Sequence, residues 1–354
     1  MAEKILEKGN IALAKGAIVA GCRYYFGYPI TPQNDIPEYL SAEMPKVGGT
    51  FIQAESEVAS INMVLGASAA GARAMTSSSG PGISLMQEGL SYMAGSELPG
   101  LVVNVMRVGP GLGGIAPSQG DYFQATRGGG HGDYFNIVLA PASVQEMFDL
   151  AIKAFDLSDK YRNPAMILCD AVLGQMKEPI ILNEMKHERP PAKPWALTGA
   201  KGRKSQFLKT LYLSDGEQEV HNLELKEKYD ILRKEDVIFE ENGLDDAEIV
   251  VVAFGTVARI VKTAIQIAKE EGIKVGLIRP ITLFPFPAEV IRKTVKKIPR
   301  ILVVEMNTGQ MVDDVKLSIE DKVKLGFYGR PGGGIPTPED VLRHIKVMFD
   351  EEGF

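Results

Sequence analysis

Gly27-Tyr28-Pro29-Ile30-Thr31-Pro32 ends a β-like run, Arg23 to Tyr28, with two prolines that leave a single hydroxyl between them. Pro29 and Pro32 fix φ, and each biases the residue before it, Tyr28 or Thr31, toward an extended conformation. A backbone pinned in this way suits either an ordinary strand-to-helix turn or a side chain that must be held in place. Thr31 is the candidate for the second role.

Outward from this loop, strand-like and helix-like segments alternate. A helix from Asn10 to Cys22 precedes it and a helix from Pro32 to Met44 follows. Then come a strand, Thr50 to Ala54, a small-residue helix, Glu57 to Ala70, a strand, Arg73 to Thr76, a helix, Ile83 to Ala94, and the β-branched run Leu101 to Val108. After a glycine-rich loop the pattern resumes with a strand (Asn136 to Leu139), a helix (Val144 to Ser158) and a buried strand (Ala165 to Asp170). Strands alternating with helices imply right-handed βαβ units and a parallel sheet covered on both faces.

From about Gly174 to Asp246 the pattern fails. Pro179, Pro190, Pro191 and Pro194 interrupt it, and the segment reads as an extended connector with a β-ribbon near Gln206 to Leu213. A smaller α/β unit follows: strands Ile249 to Phe254, Val275 to Ile278 and Ile301 to Glu305, with helices Val257 to Glu271, Ala288 to Lys297 and Glu339 to about Phe349. The expected organisation is a first domain over residues 1–178, a linker over 179–246 and a second domain over 247–354.

With 354 residues, 45% hydrophobic and 24% charged, the chain has the composition of a soluble globular protein. A net charge of −6 and a pI near 5.5 argue against nucleic acid as a partner. Lys201, Arg203 and Lys204 form only a short basic cluster, read as a solvated loop. No apolar run of about 18 residues occurs, and Met1 to Asn10 lacks a signal-peptide core, so neither membrane nor export is indicated and the expected location is the cytoplasm. Cys22 and Cys169 are too few for an iron–sulfur cluster, and His131, His187, His221 and His344 have no ligand spacing for zinc.

In an open parallel sheet, ligands bind beyond the carboxyl ends of the strands. The residues there are Thr31 after the first strand, Glu55 and Glu57 after the second, Ser77 to Ser79 after the third, and Arg107 closing the fourth, ahead of the long loop Gly109 to Asp133. Arg107 ends an apolar strand and needs an anionic partner, either a ligand carboxylate or a structural one such as Glu55, Asp121 or a neighbouring subunit. Ser77-Ser78-Ser79-Gly80-Pro81-Gly82 reads as an anion cradle without the lysine of a P-loop, or as a turn capped by serine. Gly109 to Gly114 matches G-x-G-x-x-G through glycine density alone; it follows the fourth strand and opens no helix, so a lid or subunit-contact loop is expected.

The chain resembles the α subunit of the thiamine-diphosphate-dependent 2-oxoacid:ferredoxin oxidoreductases. The resemblance rests on GYPITP at Gly27 to Pro32, QAESEVASINMVLGASAAGARAMTSSSGPG at Gln53 to Gly82, ELPGLVVNVMRVGP at Glu97 to Pro110, RPITLFPFP at Arg279 to Pro287 and GRPGGGIPTPED at Gly329 to Asp340. It implies an α/β fold with a parallel-sheet pyrimidine-binding domain followed by a smaller domain like the transketolase C-terminal one. Glu57 matches the glutamate that meets the cofactor's aminopyrimidine, with Glu55 as the rival; Tyr28 and Ser79 are also assigned to the cofactor. Thr31 and Arg107 match the substrate-binding pair that orients the 2-oxoacid carboxylate. The implied reaction is decarboxylation, transfer of electrons to ferredoxin and acyl transfer to coenzyme A.

The chain cannot do this alone, because Gly120-Asp121-Tyr122 and Gly132-Asp133-Tyr134 both stop short of the G-D-G…N signature that holds Mg²⁺ and the diphosphate. A β subunit carrying that site, a ferredoxin-like iron–sulfur subunit, a γ subunit and ferredoxin are the implied partners. Length and N-terminal segment look most like the branched-chain (2-oxoisovalerate, 3-methyl-2-oxobutanoate) enzymes. The 2-oxoglutarate enzymes share the motifs, and the β subunit of the lipoamide-linked 2-oxoacid dehydrogenases shares the domain pair without an expected GYPITP.

Overall fold

The buried apolar runs dictate the architecture. The computed structural model of the chain describes residues 4–182, 190–320 and 322–350. Its strands are β1 Lys4–Lys8, β2 Tyr24–Gly27, β3 Thr50–Gln53, β4 Ala74–Ser78, β5 Gly100–Met106, β6 Ile137–Leu139, β7 Pro164–Asp170, β8 Lys177–Ile181, β9 Phe239–Asn242, β10 Ile249–Val252, β11 Val275–Pro280, β12 Thr282–Phe284, β13 Arg300–Glu305 and β14 Lys324–Gly329. β5 and β7 are buried at every position. They read as unbroken apolar sequence because a central parallel strand, covered by helices on both faces, has no solvent side.

These two strands lie at the middle of a seven-stranded sheet ordered β12-β6-β7-β5-β4-β2-β3, in which β12 at one edge is antiparallel to β6 and every other pairing is parallel. The second sheet, β14-β13-β10-β11-β9, has a core of its own around Val251, Leu277 and Leu302 under the helix Gly255–Glu270. Outside the connector, the strands expected from the sequence are found near their expected places.

The connector is different from the expectation. Residues 206–213 form no strand, so the β-ribbon expected there is absent, and Glu217–Glu235 is a helix of 19 residues. That helix buries only His221, Leu225, Tyr229 and Leu232, a stripe one side chain wide, whereas a surface helix is recognised by a broader apolar face. β9 joins the second sheet beside β11, and β12 leaves β11 to pair with β6 of the first sheet. β1 and β8 form a separate antiparallel ribbon. His187 lies outside the described residues; among the described ones no group of three His, Cys, Asp or Glu could hold a metal ion, and no helix is long and apolar enough to cross a membrane.

Buried polar groups join the two sheets. Gln119, fully buried, donates its amide to the Phe254 carbonyl at 3.0 Å and accepts the Met306 amide at 3.0 Å. Arg279, at the end of β11, places two guanidinium nitrogens on Glu146 of the helix Val144–Tyr161 at 2.7 and 2.9 Å and its Nε on Glu240 of β9 at 2.7 Å. Methionine at position 279 keeps the volume but leaves two carboxylates facing each other without their cation. The expected loss is about 2–4 kcal/mol, moderated because both carboxylates are partly exposed. It is read as a lower denaturant midpoint at constant slope; an unmoved midpoint would show that this ion triad adds nothing to stability.

Candidate functional site

The chain leaves β2 for β3 on one side and returns to β4 on the other, since the sheet order there is β4-β2-β3. The crossovers therefore diverge at the carboxyl ends of β2 and β4, and the crevice they leave is the switch point at which open α/β sheets bind ligands. The loop Tyr28 to Asn34 lines one side of it.

That loop is fixed by groups the prolines did not foretell. The Pro32 carbonyl accepts from Asn10 Nδ2 at 3.0 Å and from Gln175 Nε2 at 3.1 Å, and the same two amides reach Asp35 Oδ2 at 3.1 and 2.6 Å. Lys8 Nζ meets Asp35 Oδ1 at 3.0 Å. Burial raises the Asp35 pKa, but the bonds from Lys8, Asn10 and Gln175 outweigh it and hold the carboxyl below its usual value. Buried Gln33 donates to the Tyr28 carbonyl at 3.2 Å and accepts from Ser77 Oγ at 2.5 Å. Ser77 in turn shares a 2.7 Å bond with Tyr25. Asn10, Gln33 and Gln175 are the site-forming residues that the sequence reading missed; a buried amide directly after I-T-P was the one signal available.

Arg107 is only 8% exposed. Its Nη1 donates to the Thr31 carbonyl at 2.9 Å and its Nη2 to the Leu112 carbonyl at 3.1 Å, while Nε has no partner. The structural salt bridges considered for it within the chain are not made: Glu55 is exposed, and Asp121 accepts instead from Asn104 Nδ2 at 2.9 Å. Burial pushes the Asp121 pKa up against that bond. A guanidinium thus lies buried with carbonyl dipoles for company and no carboxylate among the described residues.

Glu57 opens the helix Glu57–Ala69, whose cap is Ser56, accepting the Ala59 amide at 3.2 Å. Its side chain is buried, and one long bond reaches it, from Ser78 Oγ to Oε1 at 3.3 Å. The turn Ser78 to Gly82 runs between Glu57 and Arg107. A Cβ on Gly82 would stand 2.4 Å from Glu57 Oε1, and one on Gly80, whose φ is +47°, would stand 3.2 Å from Arg107 Nε. Both glycines keep the cradle open. None of the three serines caps the following helix Pro81–Leu85, whose cap residue is Gly80; Ser79 is fully buried with its hydroxyl unpartnered.

The structure therefore brings Thr31, Arg107 and Glu57 together around the Ser78 to Gly82 turn, within which Ser79 is buried. Tyr28 lies on the same loop as Thr31 and is 39% exposed. Glu55 faces solvent. A buried carboxyl with spare acceptor capacity, an unpartnered hydroxyl and a cation lacking an anion can hold a heterocycle with a basic nitrogen beside a small carboxylate.

Removing Asn10 Nδ2 by alanine substitution should cost about 1–2 kcal/mol locally. Amide exchange at Gln33 and Ile36 is expected to quicken about tenfold, with β5 unaffected. Unchanged exchange at both would mean that the clamp does not hold the loop.

Comparison with known proteins finds relatives over nearly the whole chain. Residues 15–239 match the family model described as "Pyruvate flavodoxin/ferredoxin oxidoreductase, thiamine diP-bdg", and residues 247–341 match "Pyruvate:ferredoxin oxidoreductase core domain II". The ketoisovalerate oxidoreductase subunit VorB of Methanothermobacter marburgensis is 51% identical over 97% of this chain and 97% of its own length. The 2-oxoglutarate synthase subunit KorA of Archaeoglobus fulgidus is 41% identical over 97% of this chain and 99% of its own. The solved 2-oxoglutarate:ferredoxin oxidoreductase of Magnetococcus marinus, with 2-oxoglutarate, coenzyme A and succinyl-CoA bound, superposes with a TM-score of 0.91 at 28% identity, covering 99% of this chain and 66% of that longer one. A split-gene transketolase shares the fold alone, at a TM-score of 0.60 and 12% identity.

Proposed function

The chain belongs to the 2-oxoacid:ferredoxin oxidoreductase family, and from that membership we propose that it is the α subunit of an enzyme that converts a branched-chain 2-oxoacid such as 3-methyl-2-oxobutanoate to its acyl-CoA and passes the electrons to ferredoxin. The observation that carries this reading is the pairing, across the Ser78 to Gly82 turn, of a buried carboxyl with a buried guanidinium that has no acid of its own. The 2-oxoglutarate alternative has relatives at 38% and 41% identity, against 51% for the ketoisovalerate subunits.

Thiamine diphosphate, when bound, supplies the carbanion and the electron sink of the reaction. The cradle fits that cofactor's pyrimidine: Glu57 offers a largely unengaged carboxyl, Ser79 an unpartnered hydroxyl, and Gly80 and Gly82 leave the space. Glu57 would hold a proton at the ring nitrogen through its carboxylate oxygens, at a helix N-terminus where negative charge is favoured. Of the five N–H donors of a guanidinium, Arg107 spends two on carbonyls. The rest, with the Thr31 hydroxyl, receive the substrate carboxylate and fix the carbonyl carbon for attack.

The remainder of the enzyme must come from other chains, and the relatives are named as subunits. Asp121 and Asp133, the aspartates of the two partial signatures, are engaged by Asn104 and Asn222. Burial pushes the Cys22 thiol up to about 12 and the Cys169 thiol well above its usual value, so neither is a ready thiolate ligand. In this reading a β subunit carries the diphosphate and Mg²⁺, and ferredoxin-like and γ subunits complete the path to ferredoxin. Ile52, Val58 and Leu85, on elements that adjoin the site, are each exposed and are proposed to be covered by the β subunit.

In the assembled complex, Glu57→Gln is expected to lower turnover at least about 100-fold, the scale of a lost acid–base group, with subunit association unchanged. Undiminished turnover would remove Glu57 from the mechanism.

A further inference from the structure

The loop after β5 is built to a fixed shape. Gly111 and Gly113 have φ of +70° and +60°, and a Cβ on Gly113 would stand 1.9 Å from the Val108 carbonyl oxygen, so glycine is required there. The Val108 amide donates to the Ala116 carbonyl at 2.9 Å and the Gly114 amide to the Val108 carbonyl at 3.0 Å, which closes the turn. Leu112 lies between the two left-handed glycines, and its carbonyl is the one that Arg107 Nη2 holds. Its side chain is nevertheless 79% exposed, and that of Ile115 is 67% exposed. Hydrocarbon carried on a turn that Arg107 holds, and left in water, gains by being covered.

The charges around the crevice restrict what that is. Residues 27–34, 53–58, 78–87 and 107–121, the loops at the carboxyl ends of β2 to β5, contain one cation, Arg107, against Glu55, Glu57 and Asp121. To a 2-oxoacid with a second carboxylate these loops offer no second cation, an arrangement that selects against it. A 2-oxoacid with a hydrocarbon side chain meets one cation for its one carboxylate.

We propose that Leu112, with Ile115 on the same turn, forms a wall against which the substrate's hydrocarbon side chain packs, so that this turn helps set the preference for apolar monocarboxylate 2-oxoacids. The inference rests on the assignment of Arg107 to the substrate carboxylate. The turn carries no reacting group; it selects by contact and by excluding water, and such a wall distinguishes side chains by how much of it they cover.

The test uses the complex reconstituted with its partner subunits, carrying Leu112→Ala, Ile115→Ala or Leu112→Arg. Its readouts are kcat/KM on 3-methyl-2-oxobutanoate, pyruvate and 2-oxoglutarate, with assembly followed by co-purification. Leu112→Ala is expected to lower kcat/KM for the branched substrate about 10- to 50-fold and for pyruvate no more than about 3-fold, with assembly intact. Ile115→Ala moves the same ratio in the same direction. Leu112→Arg is expected to raise 2-oxoglutarate relative to the branched substrate about tenfold or more. Equal losses on all substrates, or failure of assembly, would place Leu112 against the partner chain and overturn the inference. Unmoved ratios in an active complex overturn it alone, whereas a wild-type complex inactive on every 2-oxoacid removes the functional reading and this inference together.

Discussion

The site depends on one guanidinium. Arg107 ends a strand buried along its whole length, and a cation there has lost most of its water without gaining a carboxylate. An unpaired buried charge is costly, and the Thr31 and Leu112 carbonyls offset part of that cost. The same two bonds fix the loops on either side of the crevice. What remains is a demand for an anion, placed at the sheet's switch point and separated from the Glu57 carboxyl by a turn whose glycines keep both groups uncovered.

The second unit bears on the site through the other end of the Leu112 loop. Arg107 forms an isolated bridge with Pro117, and two residues on Gln119 is tied to Phe254 and Met306. Beside it Glu305, fully buried, accepts the amides of Met311 and Val312 at 2.8 and 3.0 Å and the side-chain amide of Asn307 at 2.8 Å. Asn307 also donates to the Gln119 carbonyl at 2.9 Å. The loop is thus anchored by Arg107 at its start and by a buried polar cluster of the second unit at its end. Through this anchorage the smaller unit fixes the far end of the loop whose near end Arg107 holds.

The sheet was legible because β5 and β7 are continuous apolar runs and because prolines and glycines punctuate the first half of the chain. Thr31, Glu57 and Arg107 could be placed on one edge because strand ends in a parallel sheet share an edge. What escaped were features whose partners are remote in sequence. The amides of Asn10 and Gln175 meet at the Pro32 carbonyl across separations that no local pattern encodes. The helix Glu217–Glu235 buries too narrow a stripe to be recognised. β12 pairs with β6 of the first sheet although it follows a strand of the second. The serines of Ser77 to Ser79 looked like helix caps by composition, but their hydroxyls point to three different tasks: a tie to Gln33, a bond to Glu57 and an open donor.

On the proposed reading this chain is one half of an active site, engaging the pyrimidine end of the cofactor and the substrate carboxylate while the β subunit holds the diphosphate. Calorimetric titration of thiamine diphosphate with Mg²⁺, into the isolated chain and into the chain assembled with its β subunit, tests this directly. Tight binding only in the assembly, and its weakening there by Glu57→Gln, is the predicted result. Tight binding by the isolated chain would contradict it.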